Sequence, residues 1–192
     1  MVEKEFISAQ QLLEDSFRLG IKIFESGFRP NYIVGIWRGG TPVGIAVQEL
    51  LDYFGVKTDH IAIRTSSYEG IDRRKKEIRV HGLDYIADNI NFEDRLLIVD
   101  DVFDTGLSIE AVLNSLKTKS RKNTPENIRI ATTYYKPENR KTAFSPEYYI
   151  HETSNWLIFP HELDGLSDGE IEKHKPEVSR LIQGVKKNGN NT

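Results

Sequence analysis

The residues best suited to chemistry lie on one short stretch in the middle of the chain. An apolar run at residues 96–99 leads directly into two adjacent carboxylates, Asp100 and Asp101, and a third, Asp104, follows. The next residues are Thr105, Gly106, Leu107 and Ser108. Two ionised neighbours repel each other and cost stability unless a cation or hydrogen-bond donors satisfy them. The pattern therefore predicts a site that uses oxygen ligands on a single turn.

The same turn has the composition of a helix start. Backbone N–H groups at the beginning of a helix lack partners within the helix and attract an anion. Residues 105–108 therefore predict a cradle for a phosphate group, while Asp100 and Asp101 suit a divalent cation and sugar hydroxyls. A ribose 5-phosphate matches both halves of this turn.

The elements that position this turn follow a repeating order of strand, loop and helix. Helices are predicted over residues 9–26, 43–53 and 107–119, and strands over 32–37, 60–65, 95–99 and 128–135. This alternation predicts an α/β fold, a single domain with a mainly parallel twisted sheet flanked by helices. In such a sheet, ligands bind beyond the carboxyl ends of the strands.

Length and composition narrow the class of protein. The chain has 192 residues and a formal net charge of −3, which suits one domain over residues 1–185 and argues against bulk nucleic-acid binding. It has no cysteine, so disulfides, thiolate catalysis and zinc sites built on sulfur are excluded. Its apolar runs are shorter than the roughly 18 residues of a membrane span. We expect a cytoplasmic protein, with a disordered tail at 186–192.

The turn at 100–108 closely resembles the phosphoribosyl-pyrophosphate signature of the type I phosphoribosyltransferases. That signature has two acidic residues, two intervening residues, Asp-Thr-Gly, and a hydroxyl residue two positions later. The resemblance implies the type I phosphoribosyltransferase fold, with a small hood over the C-terminal strand ends, contributed by residues of about 1–30 and 136–170. It implies that Asp100 and Asp101 hold the ribose hydroxyls and Mg²⁺. The remaining residues of the phosphoribosyl-pyrophosphate site would be Thr105, Gly106, Leu107 and Ser108.

Two further segments match the family in the expected order. Arg38-Gly39-Gly40 resembles the loop that holds the leaving pyrophosphate, and Ser67-Tyr68 resembles the start of a flexible loop that closes over the site. The polar segment 66–94 is interpreted either as a mobile loop or as an added hairpin. Its basic cluster at 73–76 either contacts pyrophosphate or is a solvated run of charge.

The resemblance extends to the 6-oxopurine branch, whose acceptors are hypoxanthine, guanine and xanthine. Lys136 stands where this branch has a lysine that donates to the 6-oxo group, and Trp156 where an aromatic residue stacks on the base. Backbone carbonyls near Leu157 are candidates for recognising the 2-position. Simpler interpretations are a strand-end charge for Lys136 and a core position for Trp156. The family chemistry implies that Asp104 is the general base, which accepts the N7 proton.

The implied enzyme is a Mg²⁺-dependent purine salvage phosphoribosyltransferase. Its partners would be small molecules, with no nucleic acid or membrane, and it would form a homodimer or homotetramer. Two other functions stay open, a regulator that senses phosphoribosyl pyrophosphate or a nucleotide and a transferase for a different base. A Gly-x-Ser-x-Gly pattern at residues 165–169 is typical of hydrolases, but Ser167 with Glu170 is interpreted as a helix cap.

Overall fold

A computed structural model describes residues 4–69 and 76–189 and contains two compact units. The larger unit spans Gln10–Ser154, and the smaller unit combines Met1–Ala9 with Asn155–Thr192. Within the described residues, no helix is both long and apolar enough to cross a membrane. The assignment of residues 1–185 to a single domain with a hood stays a prediction.

The larger unit is built on a six-stranded sheet with the strand order β4-β3-β2-β5-β6-β7. All neighbouring pairs in it are parallel except β3 and β4, which are antiparallel. The strands are β2 (Tyr32–Trp37), β3 (Asp59–Glu69), β4 (Lys76–His81), β5 (Arg95–Phe103), β6 (Asn127–Tyr135) and β7 (Tyr148–Glu152). The predicted fold class, a mainly parallel sheet flanked by helices, is confirmed.

Three helices of this unit agree with the apolar periodicity to within a few residues. The helices of the unit are α1 (Ala9–Glu25), α2 (Gly40–Tyr53), α3 (Asp84–Asn89) and α4 (Leu107–Ser120), with 3₁₀ helices at Arg121–Asn123 and Pro137–Asn139. The predicted ones are α1, α2 and α4, whereas α3 and the 3₁₀ helices were not predicted. Helix α2 contacts β2 and β5. Helix α1 begins with Ala9 of the smaller unit and continues in the larger one.

Strand β5 lies at the centre of the sheet and carries the acidic pair to its edge. Residues 96–99 are fully buried, and each apolar side chain of this kind contributes roughly 1.5–3 kcal/mol when removed from water. In the parallel register, Tyr32 pairs with Leu96 and Gly35 with Val99. The carboxyl ends of β2 and β5 are therefore neighbours, which brings the turn at 38–40 to the acidic pair.

The polar segment 66–94 contains the arms of a hairpin. The ladder between β3 and β4 pairs Ser67 with Ile78 and Tyr68 with Glu77. Residues 73–75, which hold most of the basic cluster, lie outside the described residues. The role of Ser67 and Tyr68 in a closing loop stays a prediction.

A buried carboxylate on helix α1, that of Asp15, contacts the sheet of the larger unit. Asp15 is only 1% exposed, and its Oδ2 lies 2.8 Å from Nε2 of His151 on β7. Its Oδ1 accepts a hydrogen bond of 3.0 Å from Arg18. A carboxylate buried this deeply needs such partners, so this acidic residue has a structural explanation.

The smaller unit pairs a strand near the N-terminus with a strand that follows the larger unit in the sequence. Strand β1 (Lys4–Phe6) runs parallel to β8 (Trp156–Ile158), and α5 (Asp168–His174) and α6 (Pro176–Gly189) complete the unit. Ser167 and Glu170 form a reciprocal capping box at the start of α5, as predicted. Helix α6 includes residues 186–189, the first part of the tail that was expected to be disordered.

Candidate active site

The site is built around the end of β5, where Asp100 and Asp101 are both half-buried. Oδ1 of Asp100 accepts a hydrogen bond of 3.0 Å from the Asp101 N–H, and Oδ1 of Asp101 accepts one of 2.8 Å from the Val102 N–H. Burial, followed by the neighbouring charge of Asp101, raises the pKa of Asp100 well above its usual value. Holding both carboxylates ionised is thus unfavourable, and a bound cation would relieve this cost.

The turn after β2 lies directly against this pair. A Cβ atom added to Gly39 would overlap the carboxylate of Asp101, and one added to Gly40 would lie 2.8 Å from the Asp100 Cα. The peptide bond between Trp37 and Arg38 is cis, and the Arg38 side chain is exposed. The structure therefore brings the predicted pyrophosphate loop to the acidic pair, and it does so through residues without side chains.

The predicted phosphate cradle forms the start of α4. Gly106 is the residue before the helix, and its φ of 81° lies in the left-handed region that favours glycine. It has no side chain to cap the first N–H groups, and the Leu107 N–H reaches the Thr105 hydroxyl at 3.4 Å. A cavity of about 220 Å³ opens here, lined by Asp100, Asp101, Asp104, Thr105, Gly106 and Ser108 among others.

Asp104 lies between this cradle and the end of β6. Its Oδ2 is 3.9 Å from the Nζ of Lys136, whose side chain is only 8% exposed, whereas the Asp104 side chain is 43% exposed. The Lys136 backbone N–H donates to the Phe103 carbonyl at 2.9 Å. Lys136 directly follows β6, as the strand-end interpretation requires, and it is a buried ammonium next to a carboxylate.

Sequence reasoning missed one residue that contacts Asp104. Nδ2 of Asn139 donates a hydrogen bond of 2.7 Å to Oδ1 of Asp104, across 35 positions of the chain. The one sequence feature that points to this contact is Pro137, because proline favours a tight turn, which here returns the chain towards Asp104. Nothing in the spacing of Asp104 and Asn139 indicates the contact.

Two predicted base-binding residues belong to the smaller unit. Trp156 and Leu157 are consecutive on β8. Trp156 is 58% exposed, which excludes a core position, and Leu157 is buried. Stacking of Trp156 on a base stays a prediction.

The donor set of the acidic pair fits Mg²⁺. Over residues 4–69 and 76–189, no cluster of three or more His, Asp or Glu side chains could hold a metal by itself. Mg²⁺ usually keeps several waters and binds through one or two carboxylates together with substrate phosphates. Asp100 and Asp101 supply two such ligands, and the raised pKa of Asp100 is the sign of a carboxylate pair that a cation would stabilise.

Comparison with known proteins agrees with this geometry. The sequence matches the phosphoribosyl transferase domain family over residues 4–164. It is 24% identical to the hypoxanthine-guanine phosphoribosyltransferase of Streptococcus mutans and 25% identical to that of Streptococcus pyogenes, in each case over 96% of both chains. The crystal structure of a purine phosphoribosyltransferase from Pyrococcus horikoshii has a TM-score of 0.67 and 27% identity, covering 85% of this chain and 97% of that one. Because the family match spans most of the chain, including the acidic turn and its neighbours, the protein belongs to the phosphoribosyl transferase domain family.

Proposed function

We propose that the protein transfers the 5-phosphoribosyl group from phosphoribosyl pyrophosphate to a 6-oxopurine. The products would be a nucleoside monophosphate and pyrophosphate. The observation that carries the proposal is the position of Asp104, which adjoins the phosphate cradle and lies 3.9 Å from the buried ammonium of Lys136. The similarity to streptococcal hypoxanthine-guanine phosphoribosyltransferases and to a purine phosphoribosyltransferase from Pyrococcus horikoshii supports a purine as the acceptor.

Lys136 is the proposed reader of the 6-position. An ammonium group has only donors, so it pairs with a 6-oxo acceptor and fails to pair with a 6-amino donor. Stacking of the exposed Trp156 on a planar base stays part of the proposal on the ground of the family resemblance alone.

The sugar, its 5-phosphate and its pyrophosphate would occupy the two turns at the end of the sheet. Asp100 and Asp101 accept hydrogen bonds from the ribose hydroxyls, and the start of α4 holds the 5-phosphate. The turn at 38–40 binds the leaving pyrophosphate through backbone N–H groups and the Arg38 guanidinium. Asp100 and Asp101 are also the residues that would hold Mg²⁺, which supplies positive charge next to the departing pyrophosphate.

Asp104 is the proposed general base. As N9 of the purine bonds to C1 of the sugar, the bond from C1 to pyrophosphate breaks and the leaving group departs with its electron pair. The N7 proton passes to the Asp104 carboxylate, so the purine ring of the product nucleotide is neutral. The partial exposure of Asp104 leaves the carboxylate accessible to a bound base.

A substrate panel tests the proposal. Pyrophosphate release is measured with phosphoribosyl pyrophosphate and, in turn, hypoxanthine, guanine, xanthine and adenine, with Mg²⁺ and with a chelator. We expect release with at least one 6-oxopurine, little with adenine, and loss on chelation. Equal use of adenine would contradict the role of Lys136. Tight binding of phosphoribosyl pyrophosphate without release by any base would instead favour the regulator.

We also propose that the protein assembles as a homodimer or homotetramer. The support is a stripe of exposed apolar side chains at helical spacing on α1, formed by Leu13, Phe17 and Ile21, which are 45%, 37% and 41% exposed. Exposed apolar patches of this kind are typical of association surfaces. Light scattering of the purified chain tests the proposal, and a mass of 22.0 kDa in solution would contradict it.

A further inference from the structure

The chain segment after β6 runs alongside the turn after β5. We call residues 136–142 the strap. The Lys136 N–H donates to the Phe103 carbonyl and the Lys141 N–H to the Thr105 carbonyl, both at 2.9 Å. The Thr142 hydroxyl lies 2.6 Å from the place that a Cβ on Gly106 would occupy. The strap is therefore held against the end of β5 and the turn after it near both of its own ends.

Asn139 is the strap residue whose side chain bonds to Asp104, with 2.7 Å between Nδ2 and Oδ1. Its own backbone is held in the 3₁₀ helix, where the Asn139 N–H donates to the Lys136 carbonyl at 3.2 Å. Lys136 Nζ lies at 3.9 Å from the other oxygen, Oδ2, which exceeds a hydrogen-bond distance. One oxygen of Asp104 is thus fixed by an amide, and the second is left for another proton donor.

A general base works only when its accepting oxygen is held within hydrogen-bond reach of the proton. The terminal torsion of an aspartate is broad, so an exposed carboxylate samples many orientations unless it is bonded. An amide donor can fix the carboxylate without adding a charge next to the Lys136 ammonium. Asn139 has this chemistry, and its backbone is tied to the residue that would read the base.

We propose that Asn139 is a positioning residue that fixes the Asp104 carboxylate for proton transfer. The amide occupies Oδ1, and Oδ2 accepts the N7 proton: the N7–H bond breaks, an O–H bond forms on Asp104, and the electron pair stays on the purine as N9 bonds to C1. This assignment rests on the proposed function and adds a residue to it.

The test is a double-mutant cycle between Asn139→Ala and Asp104→Asn. Asn139→Ala should lower kcat about 10- to 100-fold, the scale of a misplaced catalytic group, and should leave the Kd for phosphoribosyl pyrophosphate and the Tm nearly unchanged. In the Asp104→Asn background, the same change should have no further effect on kcat. Glu138→Ala, an exposed neighbour in the strap, is the matched control and should keep the wild-type kcat.

The outcomes that would overturn the assignment also separate its failure from that of the proposed function. An unchanged kcat in folded Asn139→Ala would overturn the assignment, and so would an equal loss in the Asp104→Asn background, since that indicates a general structural effect. A wild-type protein that releases no pyrophosphate with any purine would overturn the proposed function and this assignment together. A wild type active on 6-oxopurines with a normal Asn139→Ala would overturn the assignment alone.

Discussion

The turns after β2 and β5 occupy equivalent places, each between the carboxyl end of a parallel strand and a helix, but glycine serves a different purpose in each. Gly39 has an ordinary helical conformation, with φ of −67°, and lies against the Asp101 carboxylate. Gly106 has φ of 81°. The first turn therefore needs only the absence of a side chain, whereas the second also needs a backbone conformation that other residues adopt at a cost.

The two turns also differ in charge. The end of β5 and the turn after it carry Asp100, Asp101 and Asp104, while the turn after β2 carries Arg38 and glycine backbone. This difference matches a reaction in which sugar hydroxyls and a proton need acceptors and a departing polyphosphate needs donors. Substitutions in each turn can therefore test separately the role of a charged side chain, of close approach between the turns and of the backbone conformation.

The largest effect is expected for Asp104→Asn, which removes the proton acceptor and keeps the shape. We expect kcat to fall by about 10²- to 10⁴-fold, the usual range for a lost general base. Binding of phosphoribosyl pyrophosphate, measured by calorimetry, should change little. A variant with wild-type kcat would remove Asp104 from the chemistry and weaken the contrast between the two turns.

The next largest effect is expected for Gly39→Ala, because the new methyl group would overlap the Asp101 carboxylate and displace one turn from the other. A displacement of this kind should reduce kcat/KM for phosphoribosyl pyrophosphate by about 100-fold. Gly169→Ala is the matched control, since nothing lies within 4 Å of its added Cβ. Equal activity of the two variants would show that close approach at Gly39 is not required.

A smaller effect, on stability, is expected for Gly106→Ala. The left-handed conformation should cost about 1–2 kcal/mol in the free energy of unfolding, and overlap with Phe103 and Thr142 should add to it. Gly27→Ala isolates the conformational part, because Gly27 has φ of 80° and nothing within 4 Å. Urea denaturation should rank Gly106→Ala as less stable than Gly27→Ala, and the reverse order would contradict the structure.

The smallest effect is expected for Asp100→Asn, which should stabilise the unliganded protein, whereas Gly106→Ala should destabilise it. Burial and the charge of Asp101 raise the pKa of Asp100 in the folded state. Between the unfolded pKa of this carboxyl, about 4, and its higher folded pKa, the Asp100 carboxyl is protonated more in the folded protein than in the unfolded chain. The free energy of unfolding therefore falls as pH rises from the unfolded to the folded pKa. Removing the charge should raise the Tm of the unliganded protein at neutral pH by about 2–4 °C.

Two measurements check this prediction. The gain in Tm should disappear below about pH 4, where both proteins are uncharged at this position. Binding of phosphoribosyl pyrophosphate with Mg²⁺ should weaken in the same variant. A lower Tm at neutral pH would show that the acidic pair is stabilised by its surroundings without a ligand.

Sequence reasoning was most accurate where apolar runs were long. Strand β2 matches its predicted bounds, and α1 matches within one residue. The predicted end of β5 at residue 99 was too early, because the polar pair interrupts the apolar run while the hydrogen-bonded ladder to β6 continues to Phe103. Strand β7 was not predicted because it is short and partly polar, and β8 because it has only three residues, while β4 corresponds to the hairpin alternative for the polar segment 66–94.

The sequence by itself determined the order of strands and helices and the motif on the turn after β5. Both follow from local properties, namely apolar periodicity and the chemistry of residues within a few positions of each other. Only the tertiary structure decided that Gly39 meets Asp101, that Lys136 is buried next to Asp104 and that Asn139 holds its carboxylate. These contacts join residues from different strand ends, and burial and through-space distance arise only when the sheet is assembled.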